Sequence, residues 1–227
     1  MKSFALLGAT ALITSSASAT VTGLSVESTF HAASNRDIYS VYVLSNGPNG
    51  GGAYDVMLNM IGHSITAGNM NDVQHTDTYV DDYGVNVGHW NASYTSAATG
   101  TASNQWKDSY VTVTGKTGQQ SSTSLDPSFG AGVNDPASPG IPAAGGWYTA
   151  NPAVDILITG GKIKVMQIAV AASAGQGYQY TGKVSVGYKL QGTTNPLYAM
   201  NLTYVIPAPG AIALLGFAGF AARRRRS

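Results

Sequence analysis

The sequence predicts an all-β protein whose central region is a single antiparallel β-sandwich. Charged residues make up only 10% of the 227 positions, while 28 are glycine, a composition typical of short strands joined by many turns. Several segments alternate apolar and polar residues with a period of two, as half-buried strands do, and no central segment has a helical period. About eight or nine strands are expected, and both a jelly-roll and an immunoglobulin-like topology fit them.

The first third of the chain predicts three strands. Alternation from Leu24 to Phe30 marks the first strand, and residues 38–44, rich in β-branched and tyrosine side chains, mark the second. A glycine-rich turn at residues 46–52 leads into a third strand over residues 54–61. We expect the second and third strands to pair as a hairpin with a long loop.

The middle of the chain is poor in periodic segments. Residues 62–88 are polar, with one short strand expected around residues 79–87, and alternation returns over residues 108–114. Residues 115–152 are rich in Ser, Gly, Pro and Asp and predict a long loop, part of which packs down through Trp147 and Tyr148.

The last third has the clearest alternation. Strands are expected over residues 162–172, 183–190 and 198–204, forming an antiparallel meander. The first of these turns wholly apolar, as a strand covered on both sides does. In the second, Val184, Val186, Tyr188 and Leu190 are expected to share one face. In the third, the residues expected on one face are Tyr198, Met200, Leu202 and Tyr204.

The N-terminus has the parts of a secretory signal peptide. A lysine at position 2 precedes an apolar run over residues 4–13, and Ala17 and Ala19 provide a small-x-small cleavage site. We expect residues 1–19 to be removed on export and residues 20–204 to form the sandwich domain.

The charge and cysteine content of that domain limit the functions that it can have. Residues 20–204 carry seven basic and eleven acidic side chains, near −4, because Lys2 and four arginines lie outside them. A mildly acidic body has no basic footprint for nucleic acid. The chain has no cysteine, so disulfides and thiolate-bound metals are excluded.

The C-terminal segment, residues 205–227, predicts a membrane tether. Pro207 and Pro209 prevent a helix from running through this point. The uncharged residues 211–222 would give a helix of roughly 18 Å, short of a hydrocarbon core of about 30 Å. Four arginines then hold the end of the chain on the cytoplasmic side. They are Arg223, Arg224, Arg225 and Arg226.

This order of prolines, short apolar helix and arginine cluster resembles the PEP-CTERM sorting signal of bacterial surface proteins, with Ala208 where that family has glutamate. The resemblance covers about a tenth of the chain. It implies recognition by an exosortase, a membrane-embedded protease, and delivery to the cell surface or the extracellular polysaccharide matrix. The chain would be tethered in the membrane by its C-terminal helix before that delivery.

One polar cluster within 27 residues is a candidate metal site. Carboxylate and backbone oxygens suit Ca²⁺, and histidine with aspartate suits a transition ion. No fixed ligand spacing is present, so the sequence favours a polar edge hairpin whose charges prevent edge-to-edge pairing. The glycine-rich turn with Asp55 is a weaker Ca²⁺ candidate. The cluster consists of His63, Asp72, His75, Asp77, Asp81, Asp82 and His89.

The aromatic residues offer a second candidate site. Trp90, Trp106 and Trp147, with nearby tyrosines, could stack on sugar rings in a polysaccharide matrix. Burial in the sandwich core is the favoured alternative, because large aromatic side chains are mostly buried.

Catalytic patterns are sparse. The chain has no nucleophile elbow, no zinc-protease motif and no phosphate-binding glycine loop. Glu27 is its only glutamate, so a paired-carboxylate hydrolase would need Asp81 with Asp82, or Asp108 with Asp126. We therefore expect an exported structural or adhesive protein of the cell surface or matrix, without enzymatic activity or a required cofactor. A carbohydrate-binding module is the alternative, and an Asp-dependent hydrolase comes third.

Overall fold

The computed structural model describes residues 20–48, 52–68, 73, 79–80, 86–87, 90–92, 108–117, 120–129, 141–151, 153–171 and 179–207. In these ranges the chain is mostly antiparallel β-sheet, so the predicted all-β class is confirmed. The described strands are β1 (Val21–His31), β2 (Arg36–Ser45), β3 (Asp55–Gly68), β4 (Tyr79–Val80), β5 (Asn86–Val87), β6 (Tyr110–Val111), β7 (Thr123–Leu125), β8 (Trp147–Thr149), β9 (Ile156–Leu157), β10 (Lys162–Ala171), β11 (Tyr180–Leu190) and β12 (Pro196–Ile206). Single 3-10 turns lie at Ala32–Ser34, Pro127–Phe129 and Thr159–Gly161.

Two sheets share one hydrophobic core, which gives a sandwich-like architecture. The four-stranded sheet has the order β1-β2-β10-β6, and the six-stranded sheet has the order β12-β11-β3-β8-β7, with β9 also paired to β3. Strands β4 and β5 form a separate two-stranded ladder where one short strand was expected. The edge strands β1 and β12 of the two larger sheets contact each other.

The core is filled by the alternating residues of the long strands. Val41 and Val43 of β2 and Ile168 of β10 enter it from the four-stranded sheet, and Met57 and Val186 enter it from the six-stranded sheet. All five side chains are almost fully buried. Burying a side chain of this size contributes about 1.5–3 kcal/mol, so these strands hold the sandwich together.

The predicted hairpin between the second and third strands is wrong. Strand β2 pairs with β1 and β10, whereas β3 pairs with β11, β8 and β9. The glycine-rich connection therefore carries the chain from one sheet to the other. A long glycine turn permits a hairpin or a crossing equally well, and the pairing partner decides between them.

The predicted meander of the last three strands is half right. Strands β11 and β12 pair along their whole length, but β10 lies in the opposite sheet, between β2 and β6. The apolar end of β10 is nevertheless buried as expected, with Ile168, Ala169 and Val170 inaccessible to solvent.

A β-bulge overturns the predicted face of β12. Val184 lies opposite Leu202 while Val186 lies opposite Ala199, so two residues of β12, Met200 and Asn201, oppose the single residue between those two valines. Asn201 adopts the left-handed conformation with φ 55. The extra residue reverses the alternation. Tyr204 therefore points into the core, whereas Tyr198 and Met200 point outward.

The long loop predicted over residues 115–152 contains two short strands in its described part. Strands β7 and β8 pair with each other and extend the six-stranded sheet beyond β3. Trp147 packs into the core as expected, but Tyr148 points outward. Of the predicted strand over residues 108–114, only β6 is strand.

Candidate functional site

The outer face of the six-stranded sheet carries a row of residues that lie directly opposite one another on four adjacent strands. Tyr198 of β12 faces Gly187 of β11, which faces Asn59 of β3, which faces Tyr148 of β8. Residues paired in this way share one face of the sheet. Along these four strands the row has a tyrosine on β12 and another on β8, with a glycine and an amide between them, and it continues to Ser124 of β7.

Both tyrosines are open to solvent. Tyr198 is 52% exposed and Tyr148 is 45% exposed. Met200 and Ile61, on the same face one row further along the strands, are 60% and 37% exposed. We call the six residues of this surface the tyrosine face. They are Asn59, Ile61, Tyr148, Gly187, Tyr198 and Met200.

Gly187 keeps the middle of the tyrosine face flat. A Cβ atom at this position would lie 2.1 Å from Oδ1 of Asn59 and 3.2 Å from the ring of Tyr198. The absence of a side chain thus lets the half-buried Asn59 amide lie across β11 and lets the Tyr198 ring come close to the strand.

An ion pair lies beside the tyrosine face, two residues along β11. Nζ of Lys189 lies 3.0 Å from Oδ1 of Asp155. The pair is partly exposed, and its charges cancel locally. The surface next to the row is therefore polar without being strongly charged.

The outer face of the four-stranded sheet carries a different, largely buried polar cluster. Gln167 donates from Nε2 to the backbone oxygen of Asp108 at 2.7 Å and accepts from the Tyr110 hydroxyl at 3.3 Å. Lys164 donates to Gln167, and its Nζ lies 5.2 Å from the centre of the Tyr110 ring. Burial lowers the pKa of Lys164 to about 8. These bonds join β6 to β10, which is a structural role.

The adjacent exposed end of this sheet carries Glu27, Lys162 and Tyr42. Lys162 pairs with Glu27 and lies over the Tyr42 ring, 4.5 Å from its centre. The hydrogen bond to Glu27 raises the pKa of Lys162. Exposed pairs of this kind contribute little to stability. The pair joins Glu27 of β1 to Lys162 of β10, on the far side of β2.

His63 is the member of the predicted metal cluster that lies within the described residues. It sits in the interior strand β3, not on an edge hairpin, so the edge-hairpin interpretation is wrong for this residue. Gly62, with φ 67, forms a bulge opposite Val184 and turns the His63 ring into the core. There the ring is fully buried, and Nε2 lies 2.6 Å from the hydroxyl of Tyr204.

The surroundings of His63 are aromatic. The ring centres of Trp147 and Tyr204 lie 6.4 Å and 6.1 Å from it, and burial lowers the pKa of His63 to about 4. The imidazole is therefore neutral at pH 7. Among the residues that the structure describes, no group of three or more potential ligands could hold a metal ion. The remaining members of the predicted cluster, Asp72, His75, Asp77, Asp81, Asp82 and His89, lie outside those residues.

Asp55, the weaker calcium candidate, is a buried carboxylate at the start of β3. Its Oδ2 accepts a hydrogen bond from the Ser45 hydroxyl at 2.7 Å, and burial raises its pKa. Among the residues that the structure describes, this carboxylate and hydroxyl are fewer than the six to eight oxygens that Ca²⁺ requires, and residues 49–51 of the glycine-rich turn lie outside them.

Two of the three tryptophans fill the core, as the favoured alternative predicted. Trp90 is 5% exposed and Trp147 is 1% exposed. Nε1 of Trp147 donates to the backbone oxygen of Thr112 at 3.2 Å. Neither can stack on a sugar at the surface, and Trp106 lies outside the described residues.

The aspartates considered for a hydrolase have local structural contacts. Asp108 is buried and its Oδ1 accepts from the backbone of Ser109 at 2.9 Å. Asp126 accepts from the backbone of Ser128 at 3.0 Å and so caps its own turn. Asp81 and Asp82 lie outside the described residues.

The sequence did not identify the tyrosine face. Tyr148 lay in a segment expected to be a loop. Tyr198 was expected on the same face as Tyr204, because the bulge at Asn201 leaves no clear signature in the alternation. Asparagine is one of the few residues other than glycine that adopts a left-handed conformation readily, so Asn201 was the one available signal.

The predicted processing sites are largely beyond the described part of the chain. It begins at residue 20, after Ala17 and Ala19, and ends at Pro207, before Ala208, Pro209 and the four arginines. Within it, no helix has the length and apolar character needed to cross a membrane. No protein-family model matches the chain, and no curated protein or solved structure matches it significantly.

Proposed function

We propose that the chain is an exported protein of the cell surface or extracellular matrix, with a structural or adhesive role and no enzymatic activity. Residues 1–19 serve as signal peptide, residues 20–204 form the folded domain, and residues 205–227 sort the protein. The observation that carries this proposal is the order of Pro207, Pro209, the apolar residues 211–222 and the four terminal arginines. A short apolar segment with a basic end halts in the membrane and presents the prolines to a membrane protease.

The folded domain supports the same role. Its two sheets bury a continuous core without disulfides, which suits a domain that must remain folded outside the cell. We propose a jelly-roll or immunoglobulin-like connectivity for the sandwich, with an exosortase and the membrane as the partners that process the tail.

A carbohydrate-binding module of the same matrix is the second candidate. The observation that favours it is the exposure of Tyr148 and Tyr198 in one row of the six-stranded sheet. Exposed aromatic rings on one face of a sheet are suited to the C–H faces of sugars. An adhesive protein that holds polysaccharide would combine both candidates.

Mass spectrometry of the protein recovered from the cell surface and the medium tests the sorting proposal. We expect a mature chain that starts at Thr20 and ends near Pro207. An intact end at Ser227 would show that Ala208 prevents cleavage and that the protein stays membrane-tethered. Export would be refuted by a chain that keeps residues 1–19 and remains in the cytoplasm.

A variant with serine at positions 223–226 tests the tether. It should fold normally but show reduced retention at the surface, because the positive end that halts export is gone. A variant with lysine at the same four positions keeps the charge and is the matched control. Unchanged localisation of the serine variant would contradict the tether.

A further inference from the structure

We propose that the tyrosine face is a binding site for an extended, β-linked polysaccharide, whose sugar rings stack on Tyr148 and Tyr198. The proposal deepens the proposed function, on which it rests in one respect: a matrix location would bring the protein into contact with such polymers. The site itself is argued from the geometry of the sheet.

The spacing of the two rings suits a polymer better than a single sugar. The Cα atoms of Tyr198 and Tyr148 are separated by three steps between adjacent strands, roughly 14 Å at the usual strand spacing. A single pyranose is much shorter than this separation. A chain with 1,4-diequatorial linkages is extended and flat, so several of its units can lie across the strands and contact both tyrosines at once.

The two exposed tyrosines of the row carry the groups that recognise sugars. Pyranose rings present flat C–H faces bordered by hydroxyl groups, which stack on aromatic rings and hydrogen-bond to polar groups. In the row, the two exposed phenol rings flank Gly187 and Asn59, and the Asn59 Oδ1 is buried against β11. Each tyrosine also adds a hydroxyl that can hydrogen-bond to the polymer.

A protein partner fits this surface less well. The central part of a protein interface is normally a contiguous apolar patch that closes around a few anchor residues. Here Asn59 and Gly187 separate the two rings, and the next row offers only Ile61 and Met200 as exposed apolar side chains. The Lys189–Asp155 pair beside the row is neutral overall, so a strongly acidic or basic partner is not favoured either.

Affinity electrophoresis in native gels tests the proposal. The full chain, solubilised in mild detergent, is run through gels that contain soluble β-1,4-glucan, β-1,3-glucan, xylan or galactomannan, with α-linked dextran as the comparison polymer. We expect at least one β-linked polymer to retard the protein and dextran to leave it unretarded.

The variants locate the site. Tyr148→Ala and Tyr198→Ala should each weaken the apparent Kd about tenfold, as truncation of an aromatic anchor does, and the double variant should migrate as if no polymer were present. Phe30→Ala is the matched control, since Phe30 is 55% exposed but lies on β1 of the other sheet. It should be retarded like the unmodified protein. Thermal unfolding checks that the tyrosine variants fold, which we expect because both rings are about half exposed.

Three outcomes would overturn the proposal. The first is that no β-linked polymer retards the protein. The second is that the double tyrosine variant is retarded as strongly as the unmodified protein. The third is that sedimentation shows self-association that the double variant abolishes, which would make the face an interface between copies of the chain. None of these outcomes changes the first and last residues of the mature chain that mass spectrometry detects. Failure of the polysaccharide proposal is therefore distinguishable from failure of the sorting proposal.

Discussion

The buried imidazole of His63 should make this protein lose stability in weak acid. In the folded state its pKa is lowered to about 4 by burial, whereas an unfolded chain has a histidine pKa of about 6.5. Between these values the unfolded chain binds the proton more readily than the folded protein does. The stabilisation is therefore fully present above pH 6.5 and is lost as the pH falls toward 4.

The size of this loss follows from the two pKa values. The contribution of His63 should fall by about 1.4 kcal/mol at pH 5.5 and by about 2.5 kcal/mol at pH 4.5, relative to pH 7.5. Asp37 and Asp55 act in the opposite sense, because burial raises their pKa. Protonation of such a carboxyl group as the pH falls raises the free energy of unfolding. The total pH profile of the protein therefore mixes both effects.

A comparison with His63→Gln isolates the histidine. Glutamine keeps a hydrogen-bonding side chain beside Tyr204 but does not titrate, and it leaves both aspartates in place. The free energy of unfolding is measured by urea titration at pH 7.5, 5.5 and 4.5, followed by tryptophan fluorescence, since Trp147 lies next to the ring. The variant is expected to be the less stable protein at pH 7.5, with a difference that shrinks by about 2.5 kcal/mol at pH 4.5.

A constant difference across the three pH values would refute the reasoning. It would mean that His63 titrates alike in the folded and unfolded states, so that the ring is reached by water or by a partner able to stabilise its charge. A difference that grows in acid would mean that the folded protein stabilises the imidazolium.

Two further substitutions test the backbone geometry, each by urea unfolding at pH 7.5. Gly182→Ala should lower the free energy of unfolding by about 1–3 kcal/mol, because the new Cβ would lie 2.4 Å from the ring of Tyr204. Gly23→Ala is the control, because a Cβ at Gly23 meets nothing within 4 Å, and it should be nearly neutral. Equal effects at the two glycines would contradict the close packing. Asn201→Val should lower the free energy of unfolding by about 1–2 kcal/mol, because φ is 55 at this position, whereas Asn201→Gly should leave it nearly unchanged. If Asn201→Val left stability unchanged, the bulge would be absent.

Local patterns identified most of the long strands, because a strand covered on one face needs a period of two. The alternation of Val184, Val186 and Tyr188 placed those side chains on one face, and all three are buried. The apolar run of β10 was likewise correct. These features depend on neighbouring residues alone and so are visible in the sequence.

Pairing could not be inferred in the same way. Strands β2 and β3 are adjacent in the chain yet lie in different sheets, and so do β10 and β11. A period of two says that a segment is a strand but not which strand it meets. Connections long enough to cross the core, such as the glycine-rich one after β2, leave both choices open.

Composition and alternation by themselves determined that this protein is all-β and free of disulfides. The tertiary structure decided which side of each strand meets the opposite sheet. It thereby decided which candidate residues are buried and which are exposed. The bulge at Gly62 sent His63 into the core, and the bulge at Asn201 sent Tyr198 out of it. A single extra residue reverses every later side chain of a strand. The tyrosine face therefore exists only once the strands are paired.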